Sequence, residues 1–257
     1  DSGRRIFCWG FDEMSFWINF DSPNRGESPH LMLPDESGVK SLAIAGSTIC
    51  FINADDRVLC MGADDYGKLG RNTIDGDFQS TPNFVQGLPD AAALEIAASN
   101  QTVCVRTADQ RLSCWGNNQW RQVGRFSRPA QSTAYLQPNL DQVTALTMPY
   151  PASCALRLGR LYCWGVPTFG TDLWDTNVNR PGTPPVHMEG LPEGVQVQTI
   201  HSGSTWVCAR ASNHRSYCWG NANDDGRLFG TDQDVYTTAV ELNPWSTPLP
   251  EPDLGGP

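Results

Sequence analysis

The stretch Cys154-Ala155-Leu156-Arg157-Leu158-Gly159-Arg160-Leu161-Tyr162-Cys163-Trp164-Gly165 decides the fold. Setting Cys154 opposite Cys163 aligns Ala155 with Tyr162, Leu156 with Leu161 and Arg157 with Arg160. Leu158-Gly159 is left as a two-residue turn, a common hairpin loop, with glycine available for positive φ. The stretch therefore predicts a β-hairpin with its two cysteines facing each other. Cys50 and Cys60, Cys104 and Cys114, and Cys208 and Cys218 repeat the arrangement with one more residue between them. Their turns become Ala54-Asp55-Asp56, Ala108-Asp109-Gln110 and Ser212-Asn213-His214, all polar and turn-like. Opposed residues on neighbouring strands lie about 4.5–5.5 Å apart at Cα, within reach of a disulfide. Four disulfides are expected, with Cys8 unpaired inside the chain. Reduced, buried cysteines are the alternative, because free Cys packs as a small apolar group. Structural zinc sites use closer cysteine spacings, so no metal is expected. Bridged cysteines place the chain in an oxidising compartment.

Working outward, the second cysteine of each pair opens a short motif. It reads Cys-Trp-Gly at 114–116, 163–165 and 218–220, and Cys60-Met61-Gly62 is a variant. Cys8-Trp9-Gly10 is a fifth copy without an upstream cysteine. The copies recur at steps of 52, 54, 49 and 55 residues, the mark of a repeat architecture. Another strand precedes each hairpin, as in 39–46, 93–98 and 195–200. A polar, Gly-rich stretch follows it, as in 63–70 and 221–230. A fourth extended segment closes the period; 82–89 and 185–192 both end Gly-Leu-Pro. Four short strands per period, Gly/Pro punctuation and no amphipathic helix predict an all-β chain of β-propeller blades, about five of them. The chain is read as a single repeat domain, 1–257, with approximate repeats 1–50, 51–104, 105–154, 155–208 and 209–257.

Composition narrows the function classes. The 257 residues carry 18 basic and 28 acidic side chains, a net charge of −10. That argues against nucleic-acid binding, which needs a basic face. No apolar run of about 18 residues exists, so no membrane-spanning helix is expected. The chain opens on Asp1 without a signal-peptide pattern and is read as a mature or excised segment. No metalloprotease, nucleophile-elbow or P-loop motif occurs, and His30, His187, His201 and His214 occupy unrelated repeat positions. No catalytic residue and no cofactor are expected. The acidic stretches Asp64-Asp65 and Asn223-Asp224-Asp225-Gly226 lack the alternation of a calcium loop and read as solvated turns. Trp9, Trp115, Trp164 and Trp219 share one repeat position and read as packing between blades. Trp17, Trp120 and Trp174 fall in the variable loops and do not recur in register. With Arg121 they are the candidate binding residues, since exposed aromatics and arginine suit recognition; local loop packing is the competing reading. Asn100-Gln101-Thr102 is a glycosylation sequon.

The repeat resembles the regulator of chromosome condensation family in its secreted, disulfide-containing variety. The residues that carry the resemblance are Ile44-Ala45-Gly46, Cys154-Ala155, Cys208-Ala209, Tyr-Cys-Trp-Gly at 162–165 and 217–220, the Gly-rich stretch at 221–230 and the Pro…Val…Gly-Leu stretch. Copies one and three depart from the pattern after Cys-Trp-Gly, so their loops are expected to do something specific. The resemblance implies a propeller that usually has seven blades. About 4.8 periods do not close seven, which leaves a five-bladed ring with an incomplete first blade or an ordered part of a longer chain. Three functions are weighed. The first is a secreted or cell-surface, non-catalytic structural and binding module, with a protein or glycan partner or self-assembly. The second is a soluble inhibitor of a secreted enzyme, as some similar bacterial propellers inhibit β-lactamases. The third is an enzyme. The intracellular nucleotide-exchange role of some family members fits poorly with paired cysteines and a negative charge. The first, extracellular and non-enzymatic, is the expectation carried forward.

Overall fold

The hairpin built on Cys154 and Cys163 forms in the predicted register, Cys154↔Cys163 through Arg157↔Arg160. Its turn residues take φ of 50° at Leu158 and 71° at Gly159, the pair of positive values that matches strand twist in a two-residue loop. A Cβ at Gly159 would also stand 3.1 Å from Gln196 Cβ, a tight approach that adds to the preference for glycine. The three longer turns each end on a residue of positive φ: Asp56 at 61°, Gln110 at 61° and His214 at 64°. A third turn residue in that conformation is the usual way a three-residue hairpin loop closes.

The computed structural model describes residues 6–8, 30–33, 38–125, 129–138, 140–165, 185–221 and 235–242. Strands β1 (Ile6–Cys8) and β2 (His30–Leu33) make a two-stranded sheet. Four sheets of four strands follow, each an antiparallel meander. The second blade is β3 (Ser41–Ala45), β4 (Thr48–Ile52), β5 (Val58–Ala63) and β6 (Phe78–Phe84). The third is β7 (Ala93–Ala98), β8 (Thr102–Thr107), β9 (Leu112–Asn117) and β10 (Ala130–Leu136). The fourth is β11 (Val143–Thr147), β12 (Ala152–Arg157), β13 (Arg160–Gly165) and β14 (Val186–His187). The fifth is β15 (Val197–Ser202), β16 (Trp206–Ala211), β17 (Ser216–Asn221) and β18 (Val235–Glu241). Among the described residues the single helical element is a 3-10 turn, Asp65–Gly67. The fold is an all-β arrangement of propeller blades.

The first strands, β3, β7, β11 and β15, lie beside one another from blade to blade, and the fourth strands form the outer edges. Within blade two the outer strand starts earlier than the Pro82–Pro89 segment suggests, at Phe78, and contains Pro82. Proline is tolerated there because an edge strand has no further partner to receive its missing N–H. The core lies between blades. Ile52, Val58 and Leu69 of the second blade cluster with Ile96, Val103, Val105 and Trp115 of the third. Leu112 and Val123 of the third meet Leu146, Ala155 and Trp164 of the fourth. Leu156, Leu161 and Met188 of the fourth meet Ile200, Val207 and Trp219 of the fifth.

In every four-stranded blade the two middle strands carry an opposed cysteine pair. Disulfides join Cys50 to Cys60, Cys104 to Cys114, Cys154 to Cys163 and Cys208 to Cys218, each with Cα atoms 4.1 Å apart. Each closes a loop inside one blade, and loops of this length stabilise by about 2–3 kcal/mol in the chain-entropy account.

Candidate functional site

The meander sends the first turn of each blade and the loop after its third strand to one side of the molecule. The hairpin turn and the connection to the next blade go to the other. The loops after Cys-Trp-Gly therefore share one face, and two of them are described.

In the second blade this loop is built on Asp64, which is fully buried. Its carboxylate accepts from Leu69 N at 3.0 Å, Arg71 Nε at 3.1 Å and Thr73 Oγ1 at 2.7 Å. Asp64 is thus the internal strut of the loop and not a solvated turn residue, a correction to the sequence reading. In the third blade Asn118 takes the same place, its Oδ1 accepting from Val123 N at 3.0 Å. Backbone bonds match as well: Gly67 N to Asp64 O and Gly70 N to Gly67 O, against Arg121 N to Asn118 O and Gly124 N to Arg121 O. Gly67 and Arg121 both have positive φ, 75° and 63°. Copy three, which departs from the motif as a string of letters, keeps the same hydrogen bonds, while the backbone differs one residue earlier, where Tyr66 has φ of 62° and Trp120 has no positive φ.

This equivalence puts Lys68 opposite Gln122 and Tyr66 opposite Trp120. Lys68 is buried at 3% exposure and donates to Ala45 O at 3.3 Å and Asp65 Oδ2 at 3.5 Å. Burial pushes its ammonium pKa down; Asp65 and, less strongly, Asp64 oppose that. The backbone carbonyl of Lys68 accepts from the indole of Trp115 at 2.8 Å, and that of Gln122 from Trp164 at 2.9 Å. In the fifth blade the acceptor for Trp219 is instead Glu189 O, also at 2.8 Å. These three tryptophans thus lock the third, fourth and fifth blades each to the one before it; Trp9 lies outside the described residues.

Tyr66 and Trp120 remain exposed, at 39% and 36%. The sequence reading placed Trp120 out of register; the structure puts it in register with Tyr66. Tyr and Trp are different residues with a common aromatic character, so the copies do not match letter for letter at this position. The Trp120 backbone N–H donates to Gln122 Oε1 at 2.9 Å, so a buried side chain fixes the tip that presents the indole. Arg121 is partly exposed beside it. Trp17 and Trp174 lie outside the described residues. Asn100 is exposed in the β7–β8 turn of the same face, while Thr102 of its sequon is buried and donates to Asn117 O at 2.9 Å.

The opposite face carries a cleft of about 540 Å³ between the second and third blades. Asp55, Asp56, Asp90, Arg57, Phe84 and Leu88 are in its lining. The Arg57 guanidinium sits 4.0 Å above the Phe84 ring, and Lys40 pairs with Asp56. Among the described residues no group of three or more His, Cys, Asp or Glu side chains is placed to hold a metal ion, and no helix is long and apolar enough to cross a membrane.

No family model matches the chain. It is 25% identical over 205 residues to the E3 ubiquitin-protein ligase HERC2 of mouse and of human, covering 74% of this chain. It spans about 4% of the length of those relatives. Among solved structures, human WBSCR16 superposes with a TM-score of 0.70 at 17% identity, over 86% of this chain and 58% of that one. Yeast RCC1 (Prp20), solved bound to Kap60, gives 0.53 at 19% identity, over 93% and 72%. Prp20p of Saccharomyces cerevisiae, described with its binding to Gsp1p and histones, gives 0.53 at 18%, over 93% and 74%. These solved structures share the fold of this chain, the propeller of four-stranded blades that its own periodicity predicts.

Proposed function

We propose that this chain is a non-catalytic, extracellular binding module that recognises a protein through the face bearing Tyr66, Trp120 and Arg121. The observation that carries the reading is the pair of exposed aromatics at one repeat position, each held on a loop braced by a buried side chain. Rigid amphipathic rings offer contact area at low entropic cost, the property that enriches them at binding sites. A frame pinned blade by blade with disulfides suits an oxidising environment, and the net charge of −10 favours a partner with a basic surface. Yeast Prp20p, a protein of the same fold, is described as binding Gsp1p and histones, which agrees with a protein partner in kind.

The test is site-specific photocrosslinking in the extracellular fraction of the producing cells. A crosslinker at position 66 or 120 should capture one partner that a crosslinker at Asn213, on the other face, does not. Tyr66→Ala with Trp120→Ala should weaken capture of the purified partner by tenfold or more, about 1.4 kcal/mol or above. Equal capture from both faces, or a fully reduced protein retained inside the cell, would remove the reading.

A further inference from the structure

The cleft on the hairpin-turn face has a fixed frame. Ala93 N donates to Asp56 O at 2.9 Å and Val85 N to Val58 O at 3.1 Å, which tie the turn of the second blade to the third blade and to the end of its own outer strand. Within the turn, Asn53 Oδ1 accepts from Asp55 N at 3.1 Å and from Arg57 N at 2.9 Å. Val58 and Val85 are buried in the lining, and Leu88, Pro89 and Ala91 are half-buried. A largely aliphatic floor is thus held in place before any ligand arrives, which lowers the entropic cost of binding.

The charges around that floor do not balance. Asp55, Asp56 and Asp90 face a single lining cation, Arg57. Lys40 takes Asp56. Asp55 and Asp90 are exposed, and among the described residues no cationic side chain pairs with either. Arg57 does not neutralise them, and register gives the reason. Arginine stands three residues before the second cysteine of all four pairs, as Arg57, Arg111, Arg160 and Arg215. In the fifth blade Glu241 lies across from Tyr217, and Arg215 Nη1 donates to both its carboxylate oxygens, at 2.6 and 2.8 Å. In the second blade Phe84, 46% exposed, has that register place across from Leu59. The Arg57 guanidinium accordingly lies over the ring, held by cation–π attraction, and not on a carboxylate.

The three carboxylates are not grouped to hold a metal ion. A lysine or arginine side chain joins an aliphatic stem to a charged head, and it complements both the floor and the unpaired acids. We propose that the cleft is a second binding site, which takes a lysine or arginine side chain of a protein partner. The stem lies along Leu88 and Pro89, and the cation is held by Asp55 and Asp90. Phe84 keeps the protein's own Arg57 out of that place. The cleft volume of about 540 Å³ leaves room for one such side chain and the backbone that carries it. The site is on the face opposite Tyr66 and Trp120, at the second blade and not at the fifth-blade turn of Asn213, and it stands whether or not those aromatics bind.

The test titrates the 257-residue protein with the acetylated, amidated peptide Gly-Ser-Lys-Leu-Lys-Ser-Gly, and with its counterpart carrying Glu for both Lys, while amide chemical shifts are followed. The lysine peptide should shift the amides of Val58, Val85 and Ala91 and bind about tenfold more tightly than the glutamate peptide. Asp55→Asn with Asp90→Asn, both at exposed positions, should weaken it about tenfold. Arg57→Ala removes a like charge and should strengthen it about threefold. Phe84→Ala frees Arg57 to pair with the carboxylates and should weaken binding; adding Arg57→Ala to that variant should restore most of it. If Phe84→Ala unfolds the blade, the Asp55 and Asp90 pair of substitutions decides alone. Equal or tighter binding of the glutamate peptide, full binding without both aspartates, no recovery in the folded Phe84 and Arg57 double variant, or shifts confined to Tyr66 and Trp120 would overturn the proposal.

Discussion

Trp164 is 1% exposed, and its indole N–H ends on the Gln122 carbonyl of the preceding blade, which Ser153 Oγ also reaches at 2.7 Å. Its ring supplies apolar burial and its nitrogen supplies direction. Trp164→Phe keeps most of the first and loses the second, so it should cost about 1 kcal/mol in urea unfolding. Trp164→Ala adds a cavity and should cost about 3–5 kcal/mol. Tyr66→Ala and Trp120→Ala should change stability by no more than about 0.5 kcal/mol, as exposed sites usually do. His187 is a different case. Burial pushes its pKa below the ordinary 6.5, Arg160 adds to that and Glu189 opposes it. Its ring leans on Tyr162 with centroids 5.5 Å apart. A histidine held neutral binds its proton more weakly folded than unfolded, so its contribution is present above pH 6.5 and is lost as pH falls through the folded value. His187→Phe should therefore show a shallower loss of melting temperature below pH 6.5 than the parent, and parallel curves would refute this.

At the level of the hairpin, turn chemistry and cross-strand pairing can be tested separately. Leu158 is 59% exposed with φ of 50°, a conformation that costs an ordinary L-residue about 1 kcal/mol and that asparagine accepts more readily. Leu158→Asn should raise stability by up to about 1 kcal/mol, read as an upward shift in the urea midpoint at unchanged slope. Replacing both Cys154 and Cys163 with serine should cost about 2–5 kcal/mol and leave the strand content in circular dichroism intact. The hairpin was legible because its turn, its register and its cysteines all depend on neighbours within a dozen residues. The outer strands were less so. β6 begins at Phe78 and its register shifts between Cys60 and Gly62, a bulge that no local alternation announces.

Across the molecule, stability should follow the number of blade neighbours. The third and fourth blades are packed on both sides, and Glu95, ion-paired to Arg106 of its own blade at 2.9 Å, joins them by accepting from Leu146 N at 3.3 Å. Native-state hydrogen exchange should be slowest in β8, β9, β12 and β13, and faster in β3, whose Leu42 and Ile44 stay exposed. Uniform protection across the four sheets would show that the blades open together.

Periodicity alone determined the repeat, the all-β class, the hairpin register and the burial of Trp115, Trp164 and Trp219. Each rests on spacings that recur along the chain, and a recurring spacing is visible without knowing what touches what. The exposed pair Tyr66 and Trp120, the strut role of Asp64 and the exposure of Leu42 and Ile44 needed the tertiary structure. Trp120 was named as a candidate, but its partner in register was missed, because loop equivalence is carried by backbone angles and hydrogen bonds that Gly67 and Arg121 satisfy with different side chains. Whether Leu42 is buried depends on a neighbouring blade, and the residues around it are the same in either case. Local sequence specifies what a strand offers on each face; only the packing of whole blades decides which of those faces stays open to a partner.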